Sequence, residues 1–245
     1  MDDSIYYKRT VVKELVPSAA LGKERPVRVF LPPGYQEVMT YPVIYCQDGE
    51  QFFNFGRIVT HMNRLIFDEG IDPAIIVGVD VDTSVRTSEY APEGERFAAY
   101  TQFFTQELLP YIESKYPVRT SPSERIIAGD SLGGTVSLHL ALDYPSLFCS
   151  VISLSGAFFR ETQQRIAEEA DLSWLNLYML IGLDEREVKT ERGTFDFVEA
   201  NRNTRLLLEE RNCRLTYEEK PGKHLWGFWQ NELPEAMKLF LKGLH

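Results

Sequence analysis

The sequence has few cysteines, and it lacks a long apolar run. Cys46, Cys149 and Cys213 are widely separated, odd in number and free of metal-ligand spacing. They predict neither a disulfide framework nor a metal site, and they fit a reducing, cytoplasmic location. Residues 1–4 (MDDS) lack the apolar stretch of a signal peptide. No apolar run approaches the roughly 20 residues that cross a bilayer, so no membrane partner is expected.

An excess of positive charge is also absent. Lys and Arg number 26 against 36 Asp and Glu, which gives a formal net charge of −10. Nucleic-acid binding calls for a basic face, so no nucleic-acid partner is expected. The sequence contains no Gly- or Ser-rich linker and no internal repeat. Its length and ordinary composition predict a single domain over residues 1–245.

The sequence does contain a regular alternation of strand-like and helical patterns. Alternating residues at 6–15 and 27–31 predict two antiparallel strands. Continuous apolar runs predict buried parallel strands at 41–46, 74–79, 123–128, 149–154 and 177–182. Helices are predicted at 97–115, 132–142, 195–211 and 228–242, with a last strand at 214–219. This order predicts an α/β fold: a mainly parallel, doubly wound sheet of about eight strands with helices on both faces.

One motif within this alternation carries chemistry. Gly129-Asp130-Ser131-Leu132-Gly133 fits the pattern G-x-S-x-G and stands between a predicted strand and a predicted helix. At such a nucleophile elbow the serine backbone is strained, and a side chain at either glycine would collide with a neighbouring element. The motif predicts Ser131 as a nucleophile. A glycine-rich turn with an incidental serine is the alternative.

A serine nucleophile needs a base, and the chain has four histidines. In this fold the order along the chain is serine, acid, histidine, and His61 precedes the serine. His139 lies about 12 Å further along the elbow helix, and His245 is the terminal residue. His224 remains, in the loop after the last predicted strand, where such sites assemble.

The acid that orients the histidine is expected in the loop after Gly182. Asp184, Glu185 and Glu187 are the candidates, and spacing alone does not choose among them.

The developing oxyanion needs N–H donors. The backbone N–H of Leu132, at the start of the elbow helix, is one candidate. The other is expected in the loop that follows Cys46, where the N–H of Glu50 is favoured and that of Gln51 is the alternative.

With these residues placed, the chain resembles the α/β-hydrolases of the esterase D and enterochelin esterase-like family. The resemblance extends from about residue 27 to the C-terminus. It rests on VIYCQDGE (43–50), GDSLGG (129–134), IGLDE (181–185) and PGKHLW (221–226) followed by Trp229. It implies an α/β-hydrolase fold and hydrolysis of an ester or thioester without a cofactor. It also implies Glu185 as the acid, with Asp184 as the alternative because family members often have Asp there.

Two departures from the family pattern leave the substrate branch open. Asp48-Gly49 stands where many hydrolases have His-Gly, and Lys223-His224-Leu225-Trp226 replaces Gly-His-Asp-Trp. Neither departure removes a member of the predicted triad.

Several residues in the neighbouring loops are candidates for contact with substrate: Arg86, Tyr90, Phe52 and Trp226. An ordinary salt bridge or packing beneath a helix is the alternative for each. No long insertion precedes the acid, so we expect no large lid and an open site.

The expected function is that of a serine carboxylic-ester hydrolase acting on a small acyl, aryl or siderophore-type ester. An acyltransferase or thioesterase with the same triad is the first alternative. A non-catalytic binding protein with a hydrolase fold is a more distant one. The expected partner is a small-molecule ester, and a homodimer is compatible with the sequence.

Overall fold

A computed structural model of the chain describes residues 4–241. The strands are β1 (Thr10–Val16), β2 (Arg25–Leu31), β3 (Val43–Cys46), β4 (Ile75–Val79), β5 (Arg125–Asp130), β6 (Ser150–Leu154), β7 (Asn176–Gly182), β8 (Val188–Thr190), β9 (Gly193–Phe195) and β10 (Arg214–Lys220). The α-helices are α1 (Ser4–Tyr7), α2 (Gly49–Asn54), α3 (Ile58–Glu69), α4 (Thr83–Tyr90), α5 (Phe97–Gln102), α6 (Leu109–Lys115), α7 (Leu132–Asp143), α8 (Arg160–Ala167), α9 (Phe197–Glu209) and α10 (Trp226–Lys238). A π-helical turn, Phe103–Leu108, joins α5 to α6.

Eight of these strands form one sheet, in the order β1-β2-β4-β3-β5-β6-β7-β10. The six strands from β4 to β10 in this order pair in parallel. β1 pairs antiparallel with β2, and β2 pairs antiparallel with β4. The predicted fold class is therefore confirmed, including the antiparallel pair at one edge.

The central strands are apolar on both faces because helices cover both sides of the sheet. All four residues of β3 are buried. Tyr45 packs in a core cluster with residues of α5, the π-helical turn, α6 and α7, such as Phe104. Its neighbour Ile44 packs in a second cluster with residues of α3 and α10, such as Met62 and Trp229. Alternate residues of one strand therefore belong to separate cores, as a doubly wound sheet requires.

Three local expectations were wrong. Tyr6, expected in a strand, lies in α1, and its backbone oxygen accepts a hydrogen bond from the Asn63 side chain of α3. Phe195, expected to begin a helix, ends β9, and α9 begins after Asp196, whose side chain accepts the backbone N–H of Glu199. The last helix begins at Trp226 rather than at 228. It ends at Lys238, before its expected end at residue 242.

β8 and β9 form a separate antiparallel hairpin between β7 and α9, which sequence alternation did not predict. Each strand has only three residues, too few for a period-2 pattern to stand out. Below, "the hairpin" means residues 188–195.

The parallel strands bring four loops together at the end of the sheet where their carboxyl termini lie. β3, β5, β7 and β10 end at Cys46, Asp130, Gly182 and Lys220. The residues that follow these ends include the candidate oxyanion loop, Ser131, the candidate acids and His224. Carboxyl ends of parallel strands are the usual place for such sites. Across residues 4–241, no helix is both long enough and apolar enough to span a bilayer.

Candidate active site

Ser131 occupies a strained turn between β5 and α7. Its φ of 52° and ψ of −122° lie in a region that residues with a side chain rarely adopt. The glycines on either side permit this turn: a Cβ atom at Gly129 would come within 2.1 Å of the Gly133 backbone. A Cβ atom at Gly133 would lie 3.0 Å from a carboxylate oxygen of Asp48. The turn is held because the backbone N–H of Ser131 donates to the oxygen of Leu154, at 2.9 Å.

Three side chains from three loops form a hydrogen-bonded row. The Nε2 atom of His224 lies 3.0 Å from the Oγ atom of Ser131. On the other side of the ring, Nδ1 lies 2.7 Å from the Oε2 atom of Glu185. The row spans residues 93 positions apart in sequence, and the ends of β5, β7 and β10 bring them together.

The structure places Glu185, rather than Asp184 or Glu187, against His224. Glu185 is fully buried, whereas Asp184 and Glu187 are exposed. Burial of a carboxylate is costly unless its oxygens are hydrogen-bonded. Here Oε1 accepts two hydrogen bonds, from the Ser155 hydroxyl at 2.7 Å and from the backbone N–H of Gly182 at 3.0 Å. Oε2 is left to the imidazole.

Ser155 and Trp229 extend this row beyond the carboxylate. The indole N–H of Trp229 donates to the Ser155 hydroxyl oxygen, at 2.8 Å. The His224 ring packs between the rings of Phe197 and Trp229, with centroids 4.5 Å and 4.9 Å away. Sequence reasoning missed Ser155. The signal available was its position directly after β6, the neighbour of the elbow strand, where it adopts a positive φ of 50°.

On the other side of Ser131, the candidate oxyanion loop is anchored by an ion pair between the buried Asp48 and the partly buried Arg86. The guanidinium of Arg86 donates to both carboxylate oxygens of Asp48, at 2.7 and 2.8 Å. It also donates to the backbone oxygen of Asp130, at 3.3 Å. Asp48 itself is in the left-handed region, with φ 52° and ψ 49°. The pair therefore connects the start of α2 with the end of β5.

The Asp130 carboxyl shares this buried environment. Burial, with the nearby Asp48 carboxylate as a second cause, raises the pKa of Asp130 to about 7. Within residues 4–241 its Oδ1 atom has no hydrogen-bond partner. Asp48, Arg86 and Asp130 are called the arginine cluster below.

The two candidates in the oxyanion loop differ in what their amides contact. The N–H of Gln51 donates to the backbone oxygen of Asp48, at 2.8 Å. Glu50 lies one position earlier in the first turn of α2, where amides lack an acceptor within the helix, and Asp48 makes no side-chain cap. The geometry therefore favours Glu50 over Gln51. Leu132 is the first residue of α7, so its N–H is likewise at a helix N-terminus.

A cavity of about 290 Å³ opens beside Ser131, Leu132 and His224. One wall is aromatic: Phe159 stacks on Phe195 with centroids 4.5 Å apart, and Phe197 meets Phe159 edge-on. The hairpin, to which Phe195 belongs, also lines the cavity from Val188 to Arg192. A larger hollow of about 530 Å³ lies at the opposite end of the sheet, beside Tyr35 and Phe67, and no candidate triad residue lines it.

One ion pair and one hydrogen bond hold the hairpin against α4 and the loop that follows α4. Arg192 forms an ion pair with Glu93. The Thr87 hydroxyl donates to the Glu191 carboxylate, at 3.2 Å.

The four residues expected to contact substrate have different environments. Arg86 lines the cavity, although its guanidinium is engaged by Asp48. Tyr90 and Phe52 are fully buried, which corrects the expectation that they meet a ligand. Tyr90 instead accepts the backbone N–H of Asp48, at 3.3 Å. Trp226 packs edge-on against Phe52, donates to the Gln51 side chain and does not line the cavity.

The other histidines have separate environments. His139 is buried and its Nε2 atom lies 3.1 Å from the Thr162 hydroxyl. Burial is the main cause that lowers the pKa of both His139 and His61 to about 4. His245 lies outside the described residues. Among the residues that the structure describes, no group of three or more His, Cys, Asp and Glu side chains is placed to hold a metal ion.

Comparison with known proteins assigns the chain to a family. A family model described as "Putative esterase" matches residues 18–240. The uncharacterized protein YjcH of Bacillus subtilis (strain 168) is 36% identical over 234 residues, 95% of this chain and 98% of that protein. The iron(III) enterobactin esterase of Escherichia coli (strain K12) is 28% identical over 149 residues, 60% of this chain and 36% of the relative.

A solved structure supports the same assignment at the level of the fold. A ferulic acid esterase superposes with a TM-score of 0.80 at 22% identity, covering 95% of this chain and 100% of the other. The α/β-hydrolase fold, the elbow and the family match agree. This chain therefore belongs to the "Putative esterase" family and is an ester hydrolase.

Proposed function

We propose that this esterase is a serine hydrolase in which Ser131, His224 and Glu185 form the catalytic triad. The observation that carries the proposal is the hydrogen-bonded row, 3.0 Å from Ser131 to His224 and 2.7 Å from His224 to Glu185. A serine hydroxyl is a weak nucleophile unless a base takes its proton, and this row supplies the base and the group that orients it.

In the first half of the proposed reaction, the Oγ atom of Ser131 attacks the ester carbonyl carbon while its proton passes to Nε2 of His224. The carbonyl oxygen becomes an oxyanion. When the tetrahedral intermediate collapses, the carbon–oxygen bond to the alcohol breaks and the alcohol leaves with the proton from Nε2. Ser131 is then acylated. In the second half, water attacks the acyl-enzyme by the same route and releases the acid.

Glu185 has two tasks in this scheme. Its Oε1 atom already accepts two hydrogen bonds, so Oε2 is directed at Nδ1 of His224. A carboxylate there keeps the proton on Nδ1 and leaves Nε2 free to accept the proton of Ser131. It also stabilises the imidazolium that forms when that transfer occurs.

The oxyanion is proposed to lie between the N–H groups of Leu132 and Glu50. Both amides belong to the first turn of a helix, where backbone N–H groups lack partners and carry partial positive charge. Such fixed donors stabilise charge that develops in the transition state.

The proposed substrates are carboxylic esters in which a small acyl or aryl group enters the cavity. Its volume of about 290 Å³ is roughly ten times the share of one water molecule in the liquid. That space holds one aromatic ring or a short chain, and a bulkier ester, such as a siderophore, would extend outside.

Labelling with a fluorophosphonate probe tests the nucleophile. The wild-type protein should be labelled once, at Ser131, and should cleave 4-nitrophenyl acetate. Ser131→Ala should abolish labelling and lower kcat by several orders of magnitude. Ser137→Ala is the matched control, because Ser137 is buried in the same helix and its hydroxyl has no hydrogen-bond partner among the described residues. Labelling that persists in Ser131→Ala would remove the assignment.

A further inference from the structure

The cavity beside Ser131 differs in charge from the chain as a whole. The chain carries a formal charge of −10. The charged residues that line the cavity are three cations, Arg86, Lys189 and Arg192, and one carboxylate, Glu191. Arg86 and Arg192 each have a carboxylate partner, Asp48 and Glu93, so the attraction of this mouth for a negatively charged ligand depends on direct contact with Lys189.

The three cations are not equally available. Arg86 is held by both oxygens of Asp48, and Arg192 is paired with Glu93. The carboxylate of Glu191 accepts a hydrogen bond from Thr87. Lys189 has no ion pair with any residue in 4–241, and it is exposed at the edge of the cavity. Lys189 is thus the cation whose charge is free to meet a ligand.

The apolar part of a ligand has a different contact surface. Phe159 and Phe195 are stacked at 4.5 Å with their planes 29° apart, and Phe197 connects this stack to His224. Phe159, Phe195 and Phe197 line the cavity together with Ser131 and Lys189. The cavity therefore combines a reactive serine, an aromatic wall and a free ammonium group.

We infer that the preferred substrate is an ester with an anionic group, a carboxylate or an equivalent acid, at the end away from its ester carbonyl. Lys189 binds this acidic group while the Phe159–Phe195 stack packs against the intervening apolar part. The inference rests on the proposed function, because it assigns a substrate class to the same site. It makes Lys189 a specificity-determining residue that takes no part in the proton transfers.

Two pairs of esters test the inference and locate the charge. In the first pair the acid is on the acyl side: mono-4-nitrophenyl adipate is compared with its methyl-capped diester. In the second pair it is on the alcohol side: 4-acetoxybenzoate is compared with its methyl ester. Each rate is divided by the rate of alkaline hydrolysis of the same ester, which removes differences in intrinsic reactivity. The measured quantity is the ratio of kcat/KM within a pair.

At low salt the wild-type protein should favour the anionic member of at least one pair by about fivefold to tenfold. The preference should shrink at 1 M salt, where the screening length falls to about 3 Å. Lys189→Met should abolish it and Lys189→Glu should reverse it. In both variants kcat/KM should change less for 4-nitrophenyl acetate, which has no acidic group, than for the anionic esters. Lys13→Met, an exposed lysine on the edge strand β1, is the matched control and should keep the preference.

The outcomes separate the inference from the proposed function. Ser131-dependent cleavage of the neutral esters with no charge preference, or a preference that survives in Lys189→Glu, overturns the inference alone. If the wild-type protein cleaves none of the esters, or Ser131→Ala cleaves them equally well, both proposals fall.

Discussion

Two groups of buried polar residues flank Ser131, and they are built from different chemistry. Behind His224, the acid-side network consists of Glu185, Ser155 and Trp229, in which one carboxylate is met by neutral donors. Beneath the elbow, the arginine cluster contains two carboxylates and one guanidinium. The first holds a single side chain in one orientation. The second connects the backbones of two loops.

This difference predicts different consequences of mutation. A hydrogen-bonded carboxylate with neutral supporters can be replaced by an isosteric amide without leaving a charge unpaired. Removing one member of a buried ion pair leaves the other charged and desolvated. Changes in the acid-side network should therefore appear mainly in kcat, and changes in the arginine cluster mainly in the free energy of unfolding.

The largest expected effect is that of Glu185→Gln. The amide cannot stabilise the imidazolium, and it favours the wrong tautomer of His224, so kcat should fall by about 10⁴-fold. Asp184→Asn is the matched control, an adjacent and exposed carboxylate, and should stay within about twofold of wild type. Steady-state kinetics on 4-nitrophenyl acetate measure both. A large loss in Asp184→Asn with little loss in Glu185→Gln would move the role to Asp184, and little loss in either would indicate a Ser–His dyad.

Arg86→Met should cost about 3 kcal/mol of folding stability, because it leaves Asp48 buried beside Asp130 without a cation. Urea unfolding measures the change. Adding Asp48→Asn to Arg86→Met should recover part of the loss, since the unpaired charge is then gone. If Arg86→Met unfolds at the wild-type urea concentration while kcat collapses, the cluster acts on chemistry and the contrast with the acid-side network fails.

The smallest expected effect is a dependence of stability on pH. The folded pKa of Asp130, about 7, lies above the value near 3.9 of an unfolded aspartate. Between these values the folded state binds more protons, so this group stabilises the fold at low pH and loses that contribution as pH rises through about 7.

Asp130→Asn removes this titration and isolates its contribution. Between pH 6 and 7.5 the wild-type protein should lose on the order of 1 kcal/mol relative to the variant. Unfolding curves at several pH values measure the difference. Parallel pH profiles for the two proteins would show that Asp130 is charged throughout.

The sequence predicted the fold and the centre of the site because both depend on local patterns and chain order. The buried runs at β3 to β7 are mainly apolar, with Ser153 of β6 as an internal polar residue. The glycines around Ser131 have steric reasons that can be inferred from the five-residue motif alone. His224 followed from the order of elements along the chain. Each of these inferences needed only neighbouring residues or the order of the elements along the chain.

The remaining features depend on which way a side chain points. Asp184 and Glu185 are adjacent, and only the turn after β7 decides that one is exposed and the other buried. Tyr90 was expected to contact substrate, but the last turn of α4 directs it into the core. The hairpin was missed because three-residue strands carry no detectable period.

The base of the loop that carries the hairpin is closed by one backbone bond, in which the N–H of Phe197 donates to the oxygen of Glu185, at 2.9 Å. The chain therefore leaves and re-enters the body of the protein at nearly the same point. Lengthening this loop should destabilise the fold only slightly, since each doubling of the length of a flexible loop costs only about 0.6 kcal/mol in closure entropy. Insertions, deletions or wholesale replacement between 186 and 196 would reshape the cavity while the carboxylate of Glu185 stays anchored. The loop is thus a natural position for divergence among descendants of one ancestral enzyme, and for grafting new selectivity onto an unchanged reactive centre.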